Sequence, residues 1–263
     1  MPSPDIDELL EQLNEIAPQL NATRLMLLNR IAAALRADFD VSPNPNSDLA
    51  TSLFVEYFSS RLLIHHAVVE EKLNKKSFEY IFRDALRHDR KTAEIMVSDV
   101  YPGADIVVDG TRISLKTEAS KNIRKNKITI SKLMEARWIR DQDVSGLSKL
   151  ASARLSEHIA GYERIIMLRA FTLKDNKIQY DLVEIPYKLL ILSSHLEADD
   201  IKPSLGRNGG GNAIIRKDGR DAFTLRFDGS VEKVTITNLL LELCITHVSW
   251  IIPLIISNIE TDT

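Results

Sequence analysis

Tyr101-Pro-Gly-Ala-Asp-Ile-Val-Val-Asp-Gly-Thr-Arg-Ile-Ser-Leu-Lys-Thr-Glu118 reads as a tight hairpin with its chemistry on one face. Asp109-Gly110 is a two-residue turn signal set between alternating apolar positions. Before the turn, Ile106 and Val108 alternate with Asp105 and Asp109. After it, Ile113 and Leu115 point one way while Ser114, Lys116 and Glu118 point the other, because successive strand side chains face opposite sides. A carboxylate beside a lysine and a second carboxylate, on an otherwise apolar hairpin, meets the needs of metal-assisted phosphodiester hydrolysis. The acids hold a hard cation through oxygen, and the cation activates a water and shields developing charge. The lysine orients that water or stabilises the pentavalent phosphate.

Outward from the hairpin, the six basic residues Lys116, Lys121, Arg124, Lys125, Lys127 and Lys132 lie within one short stretch that holds a single acid, Glu118. In isolation such a run is a solvated loop. Placed directly after an Asp/Lys hairpin it reads as a groove that tracks phosphates. The formal net charge of −3 excludes nucleic-acid binding through overall positive charge, and leaves a local basic groove as the way to do it. The 263 residues, 44% hydrophobic and 27% charged, suffice for one sizeable core with a helical accessory part. The single cysteine, Cys244, excludes a disulfide framework and a multi-cysteine zinc site, which fits a reducing cytoplasm. An acidic start, Met1-Pro-Ser-Pro-Asp-Ile-Asp-Glu8, is unlike a signal peptide, and no apolar run is long enough for a membrane span.

Apolar spacing over 5–38 predicts two helices broken at Pro18, followed by a loop at 42–48 and helices over 48–73 and 77–97, the second capped by Ser77. After the hairpin, Leu133, Ala136 and Ile139 predict a helix from about Ser131, and another follows at 145–159. Residues 163–173 and 178–185 read as paired strands around Asp175-Asn176, and 187–196 as a helix. The glycine-rich stretch 202–212 reads as a loop, with strands at 213–217, 222–228 and 232–237 and an apolar helix over 238–252 carrying Cys244 in the core. The expected fold is one α/β domain on a mixed central sheet flanked by helices. Residues 1–45 form an N-terminal helical segment, accessory or a dimer contact, and 46–263 the main domain.

These features together resemble the PD-(D/E)xK nuclease superfamily, and within it the type II restriction endonucleases. Pro102-Gly-Ala-Asp105 is similar to the family's Pro-Asp element and Ser114-Leu-Lys116 to its acid-x-Lys triplet. Asn74-Lys-Lys-Ser-Phe-Glu-Tyr-Ile-Phe-Arg-Asp-Ala-Leu86 resembles the helix that opens the fold, with Glu79 at the helical glutamate. The resemblance covers roughly 74–141 and reaches 163–185 at the level of fold. It implies a restriction-endonuclease-like fold, hydrolysis of double-stranded DNA at a specific sequence with Mg2+, 5′-phosphate and 3′-hydroxyl ends, and a homodimer on symmetric sites.

The departure from the family is Ser114, where Asp or Glu is usual, because a hydroxyl cannot replace a carboxylate's charge on a divalent ion. Some restriction endonucleases supply the missing acid from the following helix. Two substitutes are open here: Glu118, on the face of Ser114 and Lys116, and Glu135, on the helix expected from Ser131. Glu118 ranks first because strand period fixes its face. The implied catalytic set is therefore Asp105, Lys116, Glu118, Glu79, Ser114 and Glu135, with Asp105 and Glu118 or Glu135 on the metal. Lys121, Arg124, Lys125, Lys127 and Lys132 are the DNA-binding candidates of the basic run, joined by Arg207, Asn208 and Asn212 of the glycine-rich loop. Ser114 keeps a catalytically degenerate DNA-binding module open as an alternative, beside a structure-selective repair or resolvase nuclease and a scaffold without nucleic-acid affinity. His65-His66 lacks partner ligands and reads as a helical polar patch. No membrane or small-molecule cofactor is expected.

Overall fold

The two-residue turn forms: Asp109 and Gly110 take left-handed φ angles of 47° and 84°, the mirror-image turn that matches strand twist. The computed structural model of the chain describes residues 5–96, 103–140, 142–204 and 209–254. Helices α1 (Ile6–Ile16) and α2 (Ala22–Leu35) come first, then strand β1 (Asp40–Pro43) and helices α3 (Ser52–Val68) and α4 (Lys75–His88). A meander follows of β2 (Ala93–Ile95), β3 (Ile106–Val108) and β4 (Thr111–Glu118). Next come β5 (Lys127–Glu135), α5 (Val144–Ile159), the hairpin β6 (Arg164–Thr172) and β7 (Lys177–Ile185), and the short α6 (Tyr187–Ile191). Strands β8 (Ile201–Pro203), β9 (Gly210–Lys217), β10 (Arg220–Asp228), β11 (Lys233–Leu240) and β12 (Ile245–Pro253) complete the fold.

The expected mixed α/β architecture holds, but the strands divide into two sheets. The first runs β1-β12-β7-β6-β4-β3-β2, with β4 and β6 parallel and the other pairs antiparallel. The second, β5-β11-β10-β9-β8, is antiparallel throughout. Strand alternation sends Ile113, Leu115, Ile166, Leu168 and Trp250 to one face of the first sheet, where they pack on Phe54, Phe58, Phe78 and Phe82 of α3 and α4. The other face carries Ile165, Met167, Val183 and Ile185 against Leu147, Ala151 and Leu155 of α5 and the apolar side of the second sheet. β4 is thus covered on both faces, and this holds the candidate residues between two cores.

Two expected helices are strands. The helix from Ser131 is β5: Ile128 and Ile130 share one parity, and a register break against β11 between Ile130 and Met134 shifts the strand to the other. Leu133, Ala136 and Ile139 are all buried, but through this irregular strand and a 3-10 turn at Arg137–Ile139, which together imitate helical spacing. The expected C-terminal helix is the end of β11, a 3-10 turn at Leu241–Leu243, and β12, whose Val248, Trp250 and Ile252 are buried in strict alternation. Cys244 therefore follows a turn, half-buried at the margin of a core. Elsewhere α4 is capped by Asn74, whose Oδ1 accepts the Ser77 N–H, so it starts earlier than Ser77, and 93–95 is a strand. Part of the 202–212 loop is strand as well, and the helix expected at 187–196 is α6 plus a 3-10 turn. Arg207 and Asn208, like Tyr101 and Pro102, lie outside the described residues.

His66 corrects the polar-patch reading of His65-His66. It is fully buried on α3, with Nδ1 3.0 Å from the Val69 carbonyl and Nε2 2.9 Å from the Tyr180 hydroxyl. A carbonyl only accepts, so Nδ1 carries the proton and Nε2 accepts from Tyr180, which itself takes the Leu73 N–H. Burial and the neighbouring His65 hold its pKa down, from the ordinary 6.5 to about 4. The unfolded chain therefore takes up this proton near pH 6.5 while the folded chain resists until about 4. The resulting stability is complete above pH 6.5, is lost as pH falls from 6.5 to 4, and amounts to about 3 kcal/mol. Urea midpoints at pH 7 and pH 4.5 should fall less in His66→Gln than in the parent; equal falls would rule this origin out.

Candidate active site

Because Asn74 caps α4, Lys75 and Glu79 lie one turn apart at its start, with Nζ 3.3 Å from Glu79 Oε1. The same Nζ lies 2.6 Å from Asp105 Oδ1, across thirty residues of chain. Asp105 precedes β3, its backbone N–H bonded to the Ile113 carbonyl at 2.9 Å. Its Oδ2 accepts the Leu115 N–H at 2.6 Å and the Ser114 hydroxyl at 3.2 Å. Ser114 is fully buried, so its hydroxyl acts on Asp105, leaving Oδ1 as the oxygen that faces the cation. Glu79 is nearly buried, with Oε2 3.1 Å from Lys76 Nζ. A cleft of about 450 Å³, lined by Lys76, Glu79, Tyr80, Ile95, Met96, Ala104 and Asp105, opens on the two acids.

Lys116 follows Ser114 on the same strand face. Burial pushes its ammonium below the usual lysine range; Asp105 and Glu79 act against that, while Lys75 and Lys132 push it lower. Lys75 is also partly desolvated, yet Asp105 and Glu79 outweigh this and hold its ammonium up. His158, from the last turn of α5, is pushed down to about 4 by burial and by the charge of Lys116, which leaves a neutral imidazole next to the lysine.

The structure thus brings together Asp105, Ser114, Lys116 and Glu79, and adds Lys75 and His158, which sequence reading did not single out. Glu118 shares the face, but its carboxylate is occupied elsewhere: Oε2 accepts from Arg169 Nε at 2.7 Å and Oε1 from the Thr129 N–H at 2.8 Å. The parallel register sets Arg169 of β6 directly beside Glu118 of β4. Glu135 is on a strand, exposed, with its Oε1 2.7 Å from Lys132 Nζ, and it borders a second hollow with Met134, Trp138, Arg154, Glu157 and His158.

Arg169, fully buried, also donates to the carbonyls of Arg124, Lys125 and Lys127 at 2.7, 3.2 and 2.8 Å. These bonds pin the backbone of the basic run and leave Lys121, Arg124 and Lys125 facing solvent, with Lys127 half-buried. Arg124 Nη2 donates to Asn238 Oδ1 at 2.6 Å, and Lys132 is exposed. Asn212 is exposed on β9, opposite Arg226 of β10. A group of metal-ligand type, Asp48, Glu184 and His247, lies elsewhere in the fold. Arg164 answers it, its guanidinium bonded to both carboxylates, while His247 bridges Ser47 at 2.7 Å and Glu184 at 3.1 Å. The carboxylate oxygens of that group are thus already engaged by a planar cation.

Two carboxylate oxygens converge on one cationic nitrogen, and oxygen donors of this kind fit a hard divalent ion, with water and phosphate left to complete its shell. Acids and a desolvated lysine gathered on a mixed α/β sheet, beside a pinned basic loop, are the arrangement that a nuclease requires. The family model described as SmaI, a type II site-specific deoxyribonuclease, matches residues 13–252. The type II restriction enzyme SmaI of Serratia marcescens is 35% identical over 210 residues, covering 78% of this chain and 82% of that protein. A solved structure described as a restriction endonuclease in complex with substrate DNA aligns with 65% of this chain and 67% of its own at 15% identity, with a TM-score of 0.32. The chain belongs to the SmaI family of type II site-specific deoxyribonucleases. It is a sequence-specific restriction endonuclease, and such enzymes are generally metal-dependent. Among the described residues no helix is long and apolar enough to cross a membrane.

Proposed function

We propose that this endonuclease cuts both strands of DNA with Mg2+ held by Asp105 and Glu79, and with Lys116 as the group that positions the attacking water. The observation that carries this reading is the shared ammonium of Lys75, on which one oxygen of each acid converges. When bound, the metal supplies charge neutralisation at the phosphate and a more acidic water. Ser114 and the Leu115 N–H fix the orientation of Asp105. Lys116, lowered by burial, gives up or shares a proton more readily than a solvated lysine. Glu79 thereby takes the place of the acid missing at Ser114, ahead of Glu118, whose carboxylate serves Arg169, and of Glu135.

Lys121, Arg124, Lys125, Lys127 and Lys132 contact backbone phosphates, and Asn212 belongs to the base-reading surface. The protein works as a homodimer in the cytoplasm, residues 1–45 serving as the accessory segment. In support, Ile6, Leu9, Leu10, Leu13 and Ile16 form an exposed apolar stripe on α1, of which no residue is buried.

Plasmid digestion with added Mg2+ and mapping of the ends tests the reading as a whole. Between the acids, Glu79→Gln should lower cleavage at least about a hundredfold at unchanged thermal stability, as for loss of a group that acts on the transition state. Glu118→Gln should lower stability first. Normal cleavage by Glu79→Gln, with Glu118→Gln folded and inactive, would restore Glu118 to the metal.

A further inference from the structure

We infer that Lys75 is a built-in stand-in cation: in the DNA-free protein its ammonium occupies the metal position between Glu79 and Asp105, and a DNA phosphate must draw it away before the metal settles. This deepens the metal-site reading above and rests on it. Asp105 has one oxygen, Oδ2, committed to Ser114 and Leu115, and the remaining Oδ1 is the atom that Lys75 takes at 2.6 Å. Glu79 is divided in the same way, Oε1 to Lys75 and Oε2 to Lys76. Lys75 therefore covers the oxygen of each acid that the rest of the site leaves open.

Charge points the same way. Lys75 and Lys76 both pair with Glu79, Lys75 also pairs with Asp105, and both acids act on Lys116, so three ammonium groups already draw on two carboxylates before any metal enters. A divalent ion arriving with Lys75 in place would share two carboxylates with three ammonium groups. Lys75 is also the partner able to move. Its side chain is 44% exposed, on a flexible stem in the first turn of α4, whereas those of Asp105 and Glu79 are 19% and 9% exposed. An incoming phosphate offers the ammonium another anion at the mouth of the cleft, so arrival of duplex and release of the acids become one event. The device keeps the free enzyme from holding metal unproductively.

The test is Mn2+ binding to the full-length protein without and with uncut duplex, by calorimetry or by the electron paramagnetic resonance of the free ion. Without DNA, Lys75→Met should bind Mn2+ at least about tenfold more tightly than the parent, a differential that duplex should largely remove. Lys75→Gln is the second variant if Lys75→Met folds poorly. Lys76→Met, which also touches Glu79 but not Asp105, should gain much less. An equal gain in Lys76→Met would mean bulk charge rather than occupancy, and would overturn the inference. So would unchanged or weaker binding by Lys75→Met while Asp105→Asn still abolishes Mn2+ binding, a result that leaves the metal site standing. Mn2+ binding indifferent to both Asp105→Asn and Glu79→Gln would remove the metal-site reading and the inference together.

Discussion

Asp105→Ala and Lys116→Ala are expected to lower plasmid cleavage at least about a thousandfold while DNA binding remains measurable, because the proposed mechanism places each of them at the reacting phosphate. The two losses should differ in kind. Asp105 orients through Ser114 and Leu115 and faces a cation through Oδ1, so its removal should also weaken metal binding. Lys116 touches neither Glu79 nor Asp105 in a direct ion pair and acts on them through charge at short range. Its loss should leave metal binding intact and lower the rate at saturating metal. Single-turnover cleavage at several Mg2+ concentrations separates the two patterns. A rate for either variant within tenfold of the parent would end the assignment of that residue.

Arg169→Met is expected to cost about 3–5 kcal/mol of stability, the range for breaking a buried ion pair by removing one partner. Both side chains are buried, at 0% and 7% exposure, so solvent screening takes little from that figure. The substitution strands the Glu118 carboxylate and removes a donor from three backbone carbonyls of the basic run. Urea denaturation measures the loss, and the double change Arg169→Met with Glu118→Gln should cost less than the sum of the singles, as for groups in direct contact. If the unfolding free energy of Arg169→Met lies within about 1 kcal/mol of the parent, the net worth of a single hydrogen bond, Arg169 does not hold the loop.

The placement of Asp105, Ser114 and Lys116 beside one another is legible because it depends on the two most local rules in the chain: a two-residue turn and a period of two. Glu79 was visible as the helical glutamate of a family resemblance, but its standing was not, since it comes from Lys75 reaching Asp105 across the fold. No local rule connects residue 75 to residue 105. Arg169 carries a signal of its own in the sequence. It sits within Ile165-Ile-Met-Leu-Arg-Ala-Phe171, and a charge in the middle of a fully apolar strand needs a buried partner. Asking for that partner leads to Glu118 and away from a metal role for it. β5 and β12 look helical in the sequence for different reasons. In β5 the register break scrambled the parity that marks a strand. In β12 the apolar density of Val248 to Ile252 hid an alternation that shows only when the polar neighbours are read as the second face. With both taken as helices, the second sheet and the outer part of the first could not be assembled.

A turn of two residues admits no slack. With Asp109 and Gly110 both in left-handed conformation and β4 fixed on its other side against β6, every residue from Thr111 to Glu118 is assigned to one side of the sheet by whether its number is odd or even. Odd numbers fill a hydrophobic interior with Ile113 and Leu115, and even numbers carry Ser114, Lys116 and Glu118. The side of the sheet that each of these side chains takes is in that sense an arithmetic property, a parity that a dipeptide sets.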